Sequence, residues 1–276
     1  MYKITDGKIV VSKEDFHPEH ILLCGQIFSY EQKKGEFIVL SRDKKAKIIE
    51  KNNSYEVITD SPEFFVKFFD LDRDYSLIKQ ELGKHKILKN PIEFGYGIRI
   101  LQNDKFEMLI SFIISANNNI KRIQKIINGI KEECGEAIDA CSYAFPTREA
   151  LLKLTEEDFV KLGAGYRAKY LFNVLRQVDE ATLDEWADLD TKSLRQKLLG
   201  LYGVGPKVAD CILLFGYNRQ DVFPVDTWIE QMYNEYIDKK EHNRLKIRDN
   251  LVQMFGEYSG YAQQYLFYYQ RSGKKV

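Results

Sequence analysis

The stretch LYGVGPKVADC, residues 201–211, constrains the fold more tightly than any other part of the chain. Pro206 has a fixed φ and no N–H, so it suits the first position of a helix and cannot continue one from upstream. Gly203 and Gly205 allow a tight turn just before it and leave backbone N–H groups bare. Further upstream, Asp190 or Thr191 can cap a helix that runs through Leu199. These signals predict a helix over about 191–199, a hairpin over 200–205 and a second helix over 206 to about 215. This is a helix-hairpin-helix, and its bare N–H groups at a positive helix end suit a phosphate without reading any base. Lys207 and Cys211, at i and i+4, share one face of the second helix.

Away from this motif, the hydrophobic period changes once along the chain. Residues 1 to about 60 give short β-branched and aromatic runs broken by KKG, RDKK and NNS, the pattern of an antiparallel meander. From about 62 onward, SPEFFVKFF, DYSLIKQEL, KFEMLISFIISA, IKRIQKIINGIKEE and SLRQKLLGL carry apolar residues at helical spacing. Thr155 to Asp158 reads as a capped helix start, and Gly163 as a stop. The fold class is therefore α+β. A β domain with flanking helices is expected over 1–90 and a helical body over 91–276, with the hairpin motif at about 191–216. A loop over 217–227, containing Pro224, brings Asp226 to the start of another helix.

Composition narrows the function by exclusion. Lys+Arg and Asp+Glu balance at 41 each, so any affinity for nucleic acid needs a local basic face and aimed backbone amides. The four cysteines (Cys24, Cys134, Cys141, Cys211) lack C-x-x-C spacing and the four histidines are scattered, so neither a metal site nor a disulfide framework is expected. No run is apolar enough to span a membrane and the first residues are no signal peptide, which predicts a cytoplasmic protein, nucleoid-associated if the source is a prokaryote.

The run LYGVGPKVADCILLFGYNRQDVFPVDTW resembles the helix-hairpin-helix/Gly-Pro-Asp superfamily of base-excision DNA glycosylases. Within that superfamily, the chain is similar to the 8-oxoguanine DNA glycosylase/lyases of eukaryotic type. CGQIF (24–28), SFIISANNNIKRI (111–123), LGAGYRAKY (162–170) and YSGYAQQYLF (258–267) match that branch's other segments in order. The resemblance implies a monomer that removes 8-oxoguanine opposite cytosine from duplex DNA by flipping the base, cleaves abasic sites and uses no cofactor. It assigns Lys207 as the Schiff-base nucleophile and Asp226 as its electrostatic partner. Gly25, Cys211, Gln263 and Phe267 would form the base pocket. Asn117 would fill the vacated space, Tyr166 would wedge into the stack, and Arg122 and Arg167 would read the orphaned cytosine.

The chemistry suits those residue types. Breaking a purine's glycosidic bond develops positive charge on the sugar, which a carboxylate stabilises. A lysine amine can attack the anomeric carbon and form a Schiff base that permits β-elimination. The attack needs a neutral amine; a helix N-terminus, desolvation and a nearby cation favour it, and an ionised Asp226 opposes it.

Each residue has a plainer reading beside this one. Lys207 can be a phosphate contact, Asp226 an N-cap, Cys211 a small core residue and Gly25 a turn glycine. Gln263 and Phe267 can be one amphipathic face, the asparagine run a helix junction, and both arginines surface charges. The chain departs from the animal and fungal pattern at Trp228, where those members carry a histidine, so a phosphate contact is not carried over to that position. Two rival functions remain: a glycosylase for a different damaged base, or a non-catalytic helix-hairpin-helix module that binds only the DNA backbone. Lys207 argues against the monofunctional alkylbase enzymes, and the full pocket set argues against a mere backbone binder.

Overall fold

The computed structural model describes residues 2–276. Strand alternation builds the N-terminal layer. β1 (Tyr2–Thr5), β2 (Lys8–Ser12), β3 (Tyr30–Lys33), β4 (Glu36–Ser41), β5 (Lys44–Glu50) and β6 (Ser54–Ile58) form one six-stranded sheet in the order β1-β2-β6-β5-β4-β3. Every pairing is antiparallel. Alternate residues face one side, so Ile9 lies opposite Val57, Val57 opposite Ile48 and Ile48 opposite Phe37, all buried.

The sheet is not the simple meander expected. β3 to β6 form one, but β2 docks on the far side of β6. Between β2 and β3 the chain leaves the sheet through a short helix, Pro18–Leu22, and an irregular segment over 23–29. Gln26 pins this excursion. It is fully buried, its Nε2 donates to the carbonyls of Ile21 (2.9 Å) and Arg99 (2.7 Å), and its Oε1 accepts from the Leu101 N–H (2.8 Å). Ser29 then ties the segment to the helical body by donating to Glu107 Oε1 at 2.6 Å.

The body is built around the helix Lys105–Ser115, which Asp104 caps and which is buried from Phe106 to Ile114. Asn119 caps the next helix, Ile120–Cys134. Thr155 and Asp158 form a reciprocal capping box on Glu156–Lys161, with Gly163 at φ +94° just beyond its end. Sheet and body have separate hydrophobic clusters, and Tyr75, Ile78 and Leu82 of the helix Tyr75–Leu82 belong to the body's. A short ribbon of β7 (Ala137–Asp139) and β8 (Ser142–Tyr143) interrupts the helical region, with no counterpart in the sequence reading. Among the described residues, no helix is long and apolar enough to cross a membrane.

Candidate active site

The hairpin forms as its glycines and proline require. Asp190 caps Thr191–Leu199 by accepting from the Ser193 N–H at 2.9 Å, and Pro206 opens the helix Pro206–Phe215. Gly203 adopts φ +86°, and a Cβ there would lie 2.7 Å from the Tyr170 Cβ. Two separate constraints therefore demand glycine at 203. At Gly205, the N-cap of that helix, a Cβ would meet nothing within 4 Å, so packing within the chain does not demand glycine there. An ion pair, from half-buried Arg195 Nε to buried Asp210 Oδ1 at 2.8 Å, ties the two hairpin helices together.

Lys207 stands in the first turn of the second hairpin helix, with its Nζ 5.5 Å from the centroid of the Phe112 ring. Phe112 stacks on Phe215 at 5.4 Å and meets Phe28 edge-on at 5.9 Å. These three aromatics form an apolar wall beside the amine, and no sequence signal distinguished them from ordinary core. Cys211 lies one turn deeper and is buried. Burial pushes its thiol up to about 11, against the pull of the Lys207 charge, so it is a neutral group at pH 7.

Asp226 caps the helix Thr227–Tyr236, its side chain accepting from the Ile229 N–H at 3.0 Å. The plainer reading of Asp226 therefore holds, and it does not displace the other. Both Asp226 and Lys207 line one groove of about 910 Å³, together with Gly25, Asn117, Trp228 and Phe267. A capping carboxylate is held in a fixed orientation, here at a groove that the amine also lines. Trp228 is 40% exposed at the groove's edge, and Arg244 lines the groove beside it. The Arg244 guanidinium is bonded to Glu230 Oε2 (2.8 Å) and Thr227 Oγ1 (3.3 Å). A smaller cavity of about 270 Å³, lined by Asp104, Glu107 and Glu180 among others, contains none of the candidate residues.

The far wall comes from the excursion out of the sheet and from the helix Ser259–Arg271. Gly25 has φ +84°, and a Cβ there would lie 3.3 Å from Cε1 of Phe267. Glycine is thus favoured by the left-handed backbone, and any side chain there would also press on that ring. Gln263 is buried one turn before Phe267, and its Oε1 has no hydrogen-bond partner. An amide oxygen buried without a donor from the chain is a group that a ligand or a water can satisfy. One further turn along the same face, Arg271 also lines the groove, a residue the sequence reading passed over.

Four candidates form a cluster that adjoins the groove. Asn117 occupies the left-handed region at φ +48°. Arg167, only 2% exposed, holds that turn in place. Its Nε donates to the Ala116 carbonyl and its Nη2 to that of Asn117, both at 2.7 Å. Arg167 is therefore not the exposed charge of the plainer reading; its fork points inward, onto the turn it holds. Arg122 is exposed and donates from Nη2 to the Gly163 carbonyl at 3.0 Å. Tyr166 is 53% exposed, lies under the Arg167 guanidinium, and meets Tyr170 edge-on at 5.6 Å. Tyr170 in turn meets Tyr202 at 5.6 Å, so a row of tyrosines connects the Asn117 turn to the hairpin.

The architecture and motifs match known proteins along nearly the full length. Residues 8–109 match the family model for the 8-oxoguanine DNA glycosylase N-terminal domain, and residues 110–255 that for the HhH-GPD superfamily base excision DNA repair protein. The chain is 34% identical to the N-glycosylase/DNA lyase OGG1 of Arabidopsis thaliana over 62% of its own length, and spans 51% of that relative's length. It is 28% identical to the N-glycosylase/DNA lyase of Saccharomyces cerevisiae, covering 95% of this chain and 85% of that one. A solved structure of Clostridium acetobutylicum 8-oxoguanine glycosylase/lyase, in complex with dsDNA containing cytosine opposite to 8-oxoG, superposes with a TM-score of 0.92. That protein is 38% identical, and the match covers 99% of this chain and 98% of the other. With both halves matched in register, this chain belongs to the HhH-GPD superfamily of base-excision DNA repair proteins, in the branch that carries the 8-oxoguanine DNA glycosylase N-terminal domain.

Proposed function

We propose that this protein is a bifunctional DNA glycosylase and abasic-site lyase that removes 8-oxoguanine paired with cytosine from duplex DNA. The observation that carries this reading is the meeting of Lys207, Asp226, Gly25 and Phe267 in one groove beside a hairpin built to hold a phosphate. A non-catalytic backbone binder would have no use for an amine and a carboxylate in the same groove, nor for a buried, unpartnered Gln263 Oε1.

In this reading the flipped base stacks on Phe267 and its Watson–Crick edge meets Gln263. The Lys207 amine attacks C1′ while the bond to the base N9 breaks, and the departing base takes the electron pair. Asp226 stabilises the positive charge that develops on the sugar. Ring opening then yields a Schiff base between Lys207 and C1′. Loss of a C2′ proton expels the 3′ phosphate, which cleaves the strand. Borohydride trapping on a duplex with 8-oxoguanine opposite cytosine tests the whole scheme. One covalent protein–DNA adduct is expected; excision of the base without any trapped adduct would remove the lyase half of the proposal.

Two further results are expected of this site. A Gly25 carbonyl facing the N7 edge gains a hydrogen bond from 8-oxoguanine and meets lone-pair repulsion from guanine. Gly25→Ala would add a Cβ against Phe267 in a left-handed backbone position, moving that carbonyl. Excision of 8-oxoguanine should fall by about 5- to 150-fold, the scale of one unpaired buried group. Cleavage of a preformed abasic site should be spared. Equal loss on both substrates, with an unchanged circular dichroism spectrum, would remove Gly25 from the base pocket.

Arg122 and Arg167 concern the other strand. A cytosine edge offers two adjacent acceptors, N3 and O2, to guanidinium donors, whereas adenine offers only N1, with a C–H in the place of O2. Replacing both arginines with alanine should flatten excision rates across the four opposite bases. Because Arg167 holds the Asn117 turn, the single Arg122→Ala variant separates base reading from loop support. Unchanged preference in both variants would return these residues to purely structural roles.

A further inference from the structure

Gln263, Phe267 and Arg271 follow one another at i, i+4 and i+8 on the face of the helix Ser259–Arg271 that meets the Gly25 segment. The third of these is anchored to that segment. Arg271 Nη2 donates to the Leu23 carbonyl, and the guanidinium carbon lies 5.2 Å from the centroid of the Phe267 ring. Nη1 is different. It is buried, it has no acceptor, and it lies 3.3 Å from where a Cβ on Gly25 would sit. A guanidinium cannot shed its proton, so this nitrogen is a permanent donor kept from water with nothing to bond. Buried donors in that condition are rare, and leaving one unpaired is unfavourable.

We propose that Arg271 is a base-pocket residue whose Nη1 donates to the Hoogsteen edge of the flipped purine, beside the Gly25 carbonyl. The inference rests on the glycosylase reading above and adds to it the donor that reading lacks. The Hoogsteen edge of 8-oxoguanine presents the acceptor O6, the donor N7–H and the acceptor O8. An acceptor and a donor side by side on the protein, the Gly25 carbonyl and Arg271 Nη1, answer adjacent members of that row. The same cation lies where negative charge gathers on the departing base as the glycosidic bond breaks, so it acts on bond cleavage as well as on binding.

Arg271→Met and Arg271→Lys test this together. Arg271→Met removes every donor, and single-turnover excision of 8-oxoguanine should fall by about 10- to 100-fold, the range of one charged, buried hydrogen bond. Cleavage of a preformed abasic site, which has no base to hold, should stay within about twofold, a split that loss of structure alone would not produce. Arg271→Lys keeps the charge and can still reach the Leu23 carbonyl, but its single head cannot serve both partners, so excision should fall there too. If Arg271→Met does not fold, the lysine variant carries the test. Wild-type excision by Arg271→Lys, or equal loss on both substrates in either variant, would overturn this role alone. An unmodified protein that cleaves abasic DNA but leaves 8-oxoguanine in place would overturn it together with the substrate reading it rests on.

Discussion

Lys207→Gln is expected to abolish both base excision and the borohydride-trapped adduct while binding of lesion DNA persists. Glutamine has a similar reach and remains polar, but its amide nitrogen has no basic lone pair with which to attack C1′. Among the described residues, Lys207 forms no ion pair with a carboxylate, so removing its charge leaves no buried partner exposed to loss. Its contact is with the face of Phe112, which glutamine's methylenes can also cover. The fold should therefore survive, and binding through the hairpin amides should continue because those groups belong to the backbone. Single-turnover excision should drop by about 10³-fold or more, the scale on which loss of a nucleophile leaves only positioning and electrostatics. Gel detection of a covalent complex and a filter-binding isotherm on the same duplex decide the matter. A surviving adduct in Lys207→Gln would show that another amine does the chemistry.

Asp226→Asn separates the two roles that the structure gives this side chain. Asparagine caps a helix about as well as aspartate, and its amide oxygen can still accept from the Ile229 N–H. Only the negative charge is lost, which for a cap costs the fold roughly 0.3–1 kcal/mol through the helix dipole. The transition state loses more. Positive charge on the sugar would no longer face a carboxylate, and excision should fall by about 10²-fold or more, as when one aimed electrostatic group is removed. Thermal melting should change little while the single-turnover rate collapses. Near-normal excision by Asp226→Asn would leave the residue a cap and nothing else.

What was legible in the chain divides by the range of the forces involved. The hairpin could be read outright because Gly203, Gly205 and Pro206 act through their own backbones, and the observed helices Thr191–Leu199 and Pro206–Phe215 match that reading. The capping box at Thr155 and Asp158 is local in the same sense. By contrast, nothing near Gly25 indicates that a ring 242 positions later will lie 3.3 Å from where its Cβ would be. Family resemblance, not local chemistry, brought Gly25, Cys211, Gln263 and Phe267 together. Arg271 was missed although the i, i+4 spacing of Gln263 and Phe267, carried one turn further, ends on it. The inward fork of Arg167 was equally hidden, since its acceptors are the carbonyls of Ala116 and Asn117, 51 and 50 positions away. The placement of β2 beside β6 depends on pairing across the intervening chain, which a local hydrophobic pattern does not encode.

The far wall of the groove joins segments that lie far apart in the chain. Arg271 reaches the Leu23 carbonyl, and Gln264 Nε2 reaches Cys24 Sγ at 2.9 Å across 240 positions. The hairpin at 200–205 and both of its helices precede the helix Ser259–Arg271 in the chain. A growing polypeptide that emerges from its N-terminus first therefore holds the whole hairpin before the far wall can close. Until the helix Ser259–Arg271 is released and swings back onto the segment over 23–25, the Lys207 amine stands beside a groove with one wall missing. Tyr261, Ala262, Tyr265 and Leu266 of that same helix sit in the body's core, so a truncation that removes it should cost the fold together with the far wall.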